Sequence, residues 1–121
     1  MQVHTGRHSA LAAVIRQEQR IFAAKLRTAR AVLGWSQTDL ANQVGMTQRA
    51  IHKLEQGETE PRRATILAVA EVWRDQGLVF EDLPDGTFRL TVPASVVGAD
   101  TRRRTSRADE PRPGAVPVYR A

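Results

Sequence analysis

Gln48, Arg49, His52 and Lys53 lie on one side of a short segment, TQRAIHKLEQG, in which Ala50, Ile51 and Leu54 recur at helical spacing. A glutamine amide can chelate adenine and an arginine guanidinium can chelate guanine, each through two hydrogen bonds. Lys53, one turn further on, can reach a base edge or a phosphate. These residue types suit a helix whose N-terminal end enters the DNA major groove. The parts of catalytic chemistry are missing from the sequence: it has no cysteine, no Gly-rich phosphate loop, no nucleophile elbow and no His-Glu metal motif. Its acidic residues are scattered rather than paired, so an enzyme is not expected. His4 and His8 have the spacing of metal ligands on a helix, but no third ligand is evident, and neither a metal nor a cofactor is expected.

The polar residues need elements to position them. Residues 34–57 read GWSQTDLANQVGMTQRAIHKLEQG, two short amphipathic helices joined by a tight turn. Ser36 starts the first, with Asp39 three residues on as a capping-box-like pair, and Leu40, Ala41 and Val44 face inward. Gly45 ends this helix in a left-handed conformation, because two helices meeting at a steep angle leave one residue there. Ala41 must be small where the helices approach. Thr47 caps the second helix, whose buried face is Ala50, Ile51 and Leu54, and Gly57 closes it.

Upstream, residues 1–17 form a partly helical extension in which Met1 to Arg7 is polar and frayed and Ser9 can cap a helix starting at Ala10. No Gly or Pro interrupts Ala10 to Leu33. The stretch is one long helix, or two with a break near Gln17 to Arg20, and Phe22, Leu26, Ala29 and Leu33 form a core-facing stripe. Downstream, Thr59 to Arg62 is a loop broken by Pro61. A fourth helix is expected from Arg63 to Gln76, with Ile66, Val69, Ala70 and Trp73 as its stripe and Gly77 as its stop. Trp35 is expected to staple onto Leu40, and Trp73 belongs to the core. Two strand-like runs, Leu78 to Asp82 and Thr87 to Val92, then flank Leu83-Pro84-Asp85-Gly86 as a hairpin. Phe88, Leu90 and Val92 alternate on one face, with Phe80 opposite Phe88. Pro93 ends the ordered part. Residues 94–121 read as a disordered tail rich in Arg and Pro, with a basic knot at Arg102-Arg103-Arg104 and Arg107. That knot is a solvated charge run or an auxiliary nonspecific DNA arm.

The chain has 121 residues, 41% hydrophobic and 26% charged, with a net charge of +5. That allows one small domain with ends, and positive charge favours polyanions through counterion release. The apolar run Ala10 to Ile15 is too short to span a membrane.

The segment resembles the lambda-type phage repressor and Cro family of helix-turn-helix regulators, also called the xenobiotic-response-element type. The residues that carry the resemblance are Arg30, Leu33-Gly34, Ser36-Gln37, Leu40-Ala41, Val44-Gly45, Thr47-Gln48, Ile51, Leu54-Glu55, Gly57 and Pro61. It covers Leu26 to Trp73. It implies a mostly helical fold of four or five helices, here over residues 18–77, that binds operator DNA, usually as a dimer. It also implies roles. Gln37 matches a residue that grips a phosphate, Gln48 and Arg49 match base-reading positions, and Arg30 and Glu55 match a buried ion pair between the first and third helices. Gln56, Arg62 and Arg63 would sit near the DNA backbone. Thr47 and His52 complete the expected DNA-binding set, the plain alternative for His52 being a solvated helix flank. A hairpin over residues 78–93 stands where the family's fifth helix is expected and is a candidate dimerisation element.

The expected function is therefore a sequence-specific transcriptional regulator, a homodimeric repressor on an inverted-repeat operator in the cytoplasm of a bacterium or in a phage, at the nucleoid. The rival is a protein-interaction adaptor, or the antitoxin of a toxin–antitoxin pair, holding a protein partner at the hairpin or tail. An adaptor should expose apolar anchors on its third helix.

Overall fold

Helix α1 runs without interruption over Gln2–Leu33, about 48 Å at 1.5 Å per residue. The computed structural model describes residues 2–98, and side chains from Ser9 onward. The run corrects one expectation: Ser9 is not a helix cap, because the helix has begun at Gln2. Of the two readings of Ala10 to Leu33, the single long helix is the one found, with no break at Gln17 to Arg20. With no Pro anywhere in α1, nothing blocks a backbone hydrogen bond, and the single Gly6 costs only about 1 kcal/mol against alanine. The side chains of His4 and His8 lie outside the described ones.

Three further helices follow: α2 over Gln37–Val44, α3 over Gln48–Glu55 and α4 over Arg63–Gln76. Their ends are set locally. The Asp39 N–H donates to Ser36 Oγ at 3.0 Å and the Ser36 N–H donates to Asp39 Oδ2 at 2.9 Å, a reciprocal capping box. Thr47 Oγ1 accepts from the Ala50 N–H at 3.1 Å. Gly45, at φ 72°, turns the chain between α2 and α3, a conformation that a side chain would strain.

Leu26, Ala29 and Leu33 of α1 meet Trp35, Leu40, Ala41, Ile51 and Leu54, with Val69, Val72 and Trp73 of α4 closing the other side. The buried face of α4 differs from the expected one. Val72 is buried, whereas Ile66 is 43% exposed and Ala70 is exposed. Positions 69, 72, 73 and 76 are also a helical stripe, so periodicity alone does not choose between the two faces. Packing against α2 and the shared core does.

Strands β1 (Val79–Asp82) and β2 (Phe88–Thr91) pair antiparallel, with Phe80 opposite Leu90 and Asp82 opposite Phe88. Phe80 meets Phe88 diagonally, their ring centres 5.6 Å apart, and lies 6.3 Å from the Trp73 ring. Phe80, Leu90 and Val92 pack on the core of their own chain, so the apolar face of the hairpin covers α4. Lys25 Nζ of α1 donates to Asp82 Oδ1 at 2.6 Å and stands 5.7 Å above both phenyl rings. Leu90→Asp should accordingly destabilise the subunit, by about 1–2 kcal/mol for a half-buried site. A denaturation midpoint equal to that of the wild type would refute this packing role.

Pro93 does not end the order. Helix α5 (Ala94–Val97) follows it, with Val96 buried. Pro93 rests against Gly77, where an added Cβ would stand 3.0 Å from the proline ring. Val92 and Val96 both pack on the core and extend the apolar cover that the hairpin begins. The fold is mostly helical, with the hairpin between α4 and a short fifth helix. Residues 99–121, with Arg102 to Arg104 and Arg107, lie outside the described residues.

Candidate nucleic-acid interface

Helix α3 presents Gln48, Arg49, His52, Lys53 and Gln56 to solvent. Spacings of three and four residues place them on one side, while Ile51, Leu54 and Glu55 are buried on the other. Ile51 is 0% exposed and Ala41 of α2 is 2% exposed. The small Ala41 lets the two helices lie close, and their packing fixes the direction in which α3 projects.

Beneath this face lies one ion pair. Arg30 Nε donates to Glu55 Oε2 at 2.6 Å and Arg30 Nη2 to Glu55 Oε1 at 2.8 Å, a bidentate contact joining α1 to α3. Arg30 Nη1 also donates to the Trp35 carbonyl at 3.1 Å, and Arg27 Nη1 to the Glu55 carbonyl at 2.5 Å. Burial opposes charge on the Glu55 carboxyl. Hydrogen bonds from Arg30 and Gln37, with the charges of Arg30 and Arg27, outweigh it and hold the group below its ordinary range. Arg30 is correspondingly raised, chiefly by its hydrogen bond to Glu55.

Gln37, half-buried at the start of α2, connects this pair to the exposed row. Its Nε2 donates to Glu55 Oε1 at 3.0 Å, and its Oε1 accepts from Gln48 Nε2 at 2.6 Å. Both ends of the Gln37 amide are thereby oriented. The Gln48 amide keeps one N–H and its oxygen, the pair that an adenine edge requires. His52 lies between two amides, with Nδ1 3.4 Å from Gln37 Nε2 and Nε2 3.2 Å from Gln56 Nε2. A neutral imidazole accepts at one ring nitrogen only, so one amide must offer its oxygen. Gln37 is already committed, which leaves Gln56 to turn.

The structure thus brings Gln37, Gln48, His52, Gln56, Glu55 and Arg30 into one network. Thr47 Oγ1 accepts the α3 cap bond, which leaves its O–H proton able to donate outward. Arg49 and Lys53 project from the same side of α3 with no carboxylate in ion-pair range among the described residues. Arg62 stands apart, exposed at the N-cap of α4 and making no side-chain cap bond. The expected role of Gln37 was a direct phosphate grip. Its internal bonds to Gln48 and Glu55 span 11 and 18 residues, and no local pattern in the chain signals them. Arg27, which also escaped the sequence reading, has only its one-turn offset from Arg30 as a signal.

Among the described residues no helix is long and apolar enough to cross a membrane. No cluster of three or more His, Cys, Asp or Glu side chains that could hold a metal ion occurs among them. No curated protein and no solved structure matches the chain. Residues 21–74, from the second half of α1 through most of α4, match the family model of a helix-turn-helix domain, and α2, the Gly45 turn and α3 have that arrangement.

Proposed function

We propose that this protein is a sequence-specific DNA-binding transcriptional regulator of the lambda repressor and Cro type, acting in the cytoplasm as a homodimeric repressor on an inverted-repeat operator. The observation that carries the reading is the tethered Gln48 amide, held by Gln37 with one acceptor and one donor left free toward solvent. Arg49 beside it offers the fork that guanine takes, and Lys53, Gln56 and Arg62 supply phosphate contacts that set register. Gln37 can reach a phosphate only with hydrogen-bonding capacity left over from Glu55 and Gln48, so its main part is to position Gln48. The exposed side of α3 carries no apolar anchor, which favours DNA over a protein-binding adaptor.

The dimer needs a surface other than the hairpin, whose apolar face is turned inward. In α1, Leu11, Val14 and Ile15 are 61%, 57% and 39% exposed. Leu11 and Ile15 continue the line of Phe22, Leu26, Ala29 and Leu33 beyond the core. A row of this kind supports helix-to-helix pairing between copies, with recognition helices about 34 Å apart for successive major grooves.

Selection of bound sites from random duplex DNA tests the reading. Enrichment of an inverted repeat is expected, and recovery of no preferred sequence would overturn it. The pair Leu11→Glu and Ile15→Glu should sediment as a folded monomer and bind the selected duplex about tenfold or more weakly. Retention of the dimer would move the interface elsewhere.

A further inference from the structure

Arg16, Arg20 and Arg27 stand on the side of α1 that faces the exit of the recognition helix, with Ala23 buried among them. Gly57, the residue after Gln56, lies so close to α1 that an added Cβ would be 3.5 Å from Arg20 Cα and 3.6 Å from Ala23 Cβ. The two helices therefore frame a cleft of about 550 Å³ lined by the three arginines, Gln56, Gly57 and Glu58. All three arginines are exposed. Arg27 uses one N–H on the Glu55 carbonyl. Arg16 and Arg20 have no carboxylate in ion-pair range among the described residues. The lining thus carries three guanidiniums against one carboxylate, Glu58. Gln56 belongs both to it and to the exposed row of α3, so the cleft continues the reading face.

We propose that the cleft binds the phosphodiester backbone of the duplex beside the bases read by α3, with Arg16 and Arg20 as its phosphate ligands and Arg27 fixing the exit of α3 at its edge. The proposal rests on the DNA-binding reading and adds to it a second contact surface on α1. Guanidinium is the cation suited to it, since its fork takes two oxygens of one phosphate. Arg16 and Arg20 are one helical turn apart, so they can engage the strand at two points. Such contacts carry no base information. They add affinity and salt dependence without changing sequence preference.

The test measures binding against salt concentration for the full chain, with a duplex selected from a random pool and with an unrelated duplex. Replacing Arg16→Gln and Arg20→Gln together should lower the log–log salt slope by about 1.8, at about 0.9 per lost phosphate contact. The ratio between selected and unrelated duplex should hold. The pair Arg16→Lys and Arg20→Lys should restore most of the slope. Shortening the duplex on its flanking side should lower the slope of the wild type but not that of the glutamine pair. An unchanged slope in the glutamine pair, or an equal effect of shortening on both proteins, would overturn the cleft. If instead the wild type shows no salt-dependent binding to any duplex, the functional reading itself fails. Loss of preference in Gln48→Ala with an unchanged slope in the arginine pair would remove the cleft alone.

Discussion

Arg30→Ala is expected to lower the stability of the domain by about 3–5 kcal/mol, because it strands the buried Glu55 carboxylate with Gln37 as its one remaining side-chain donor. The reverse change should cost less. The Arg30 side chain is 22% exposed against 4% for Glu55, and without the carboxylate it keeps its bond to the Trp35 carbonyl and reaches water. Glu55→Gln is therefore expected to cost about 1–3 kcal/mol. The pH dependence separates the two parts of the pair. Glu55 is held below its ordinary value of 4.5, so its ionised form is favoured more in the folded chain than in the unfolded one. That contribution is fully present above about 4.5 and is lost as the pH falls through the lower folded value. Wild-type stability should decline on acidification through this window, and Glu55→Gln should decline less steeply. Asp85, fully exposed, is also lowered, by hydrogen bonds from Thr87. It is unchanged in both proteins and cancels in the difference. Denaturant titrations across the acid range measure both effects. Parallel pH curves for the two proteins would show that Glu55 gains nothing from its partners.

Gln48→Ala and Arg49→Ala should each cost about 1–3 kcal/mol of specific binding and relax one position of the operator. They occupy the first turn of α3, and neither is buried, so folding should be little changed. Gln37→Ala should act differently. It removes the acceptor that orients Gln48 and one of the three side-chain hydrogen bonds to the Glu55 carboxylate. It should weaken selectivity at the position that Gln48 reads and also lower stability slightly. Competition between the selected duplex and single-position variants distinguishes these cases. An equal loss across all sequences would mean that Gln48 and Arg49 touch phosphate alone.

The features legible in the chain are those that a few neighbouring residues decide. Ser36 with Asp39, Thr47, Gly45 and Gly77 mark helix ends through bonds and backbone angles reaching at most a few positions along the chain. The bounds of α4 and the hairpin turn at Leu83 to Gly86 follow from the same short range. The continuous α1 stayed open, because a stretch without breakers is compatible with one helix or two. Which face of α4 is buried was decided by packing against residues elsewhere in the chain. A stripe through Ile66 and one through Val72 have the same period, and packing against α2 and the shared core selects the second. The same holds for the short helix beyond Pro93, which exists because Val96 finds a place on a core already assembled. At the candidate interface, the residue types of α3 were legible. The tether from Gln48 through Gln37 to Glu55 and Arg30, and the meeting of Arg16 and Arg20 with the end of α3, join positions distant in the chain. Only the folded core brings them within hydrogen-bonding or packing distance, because burial of the shared apolar faces sets the helix positions that the polar pairs require.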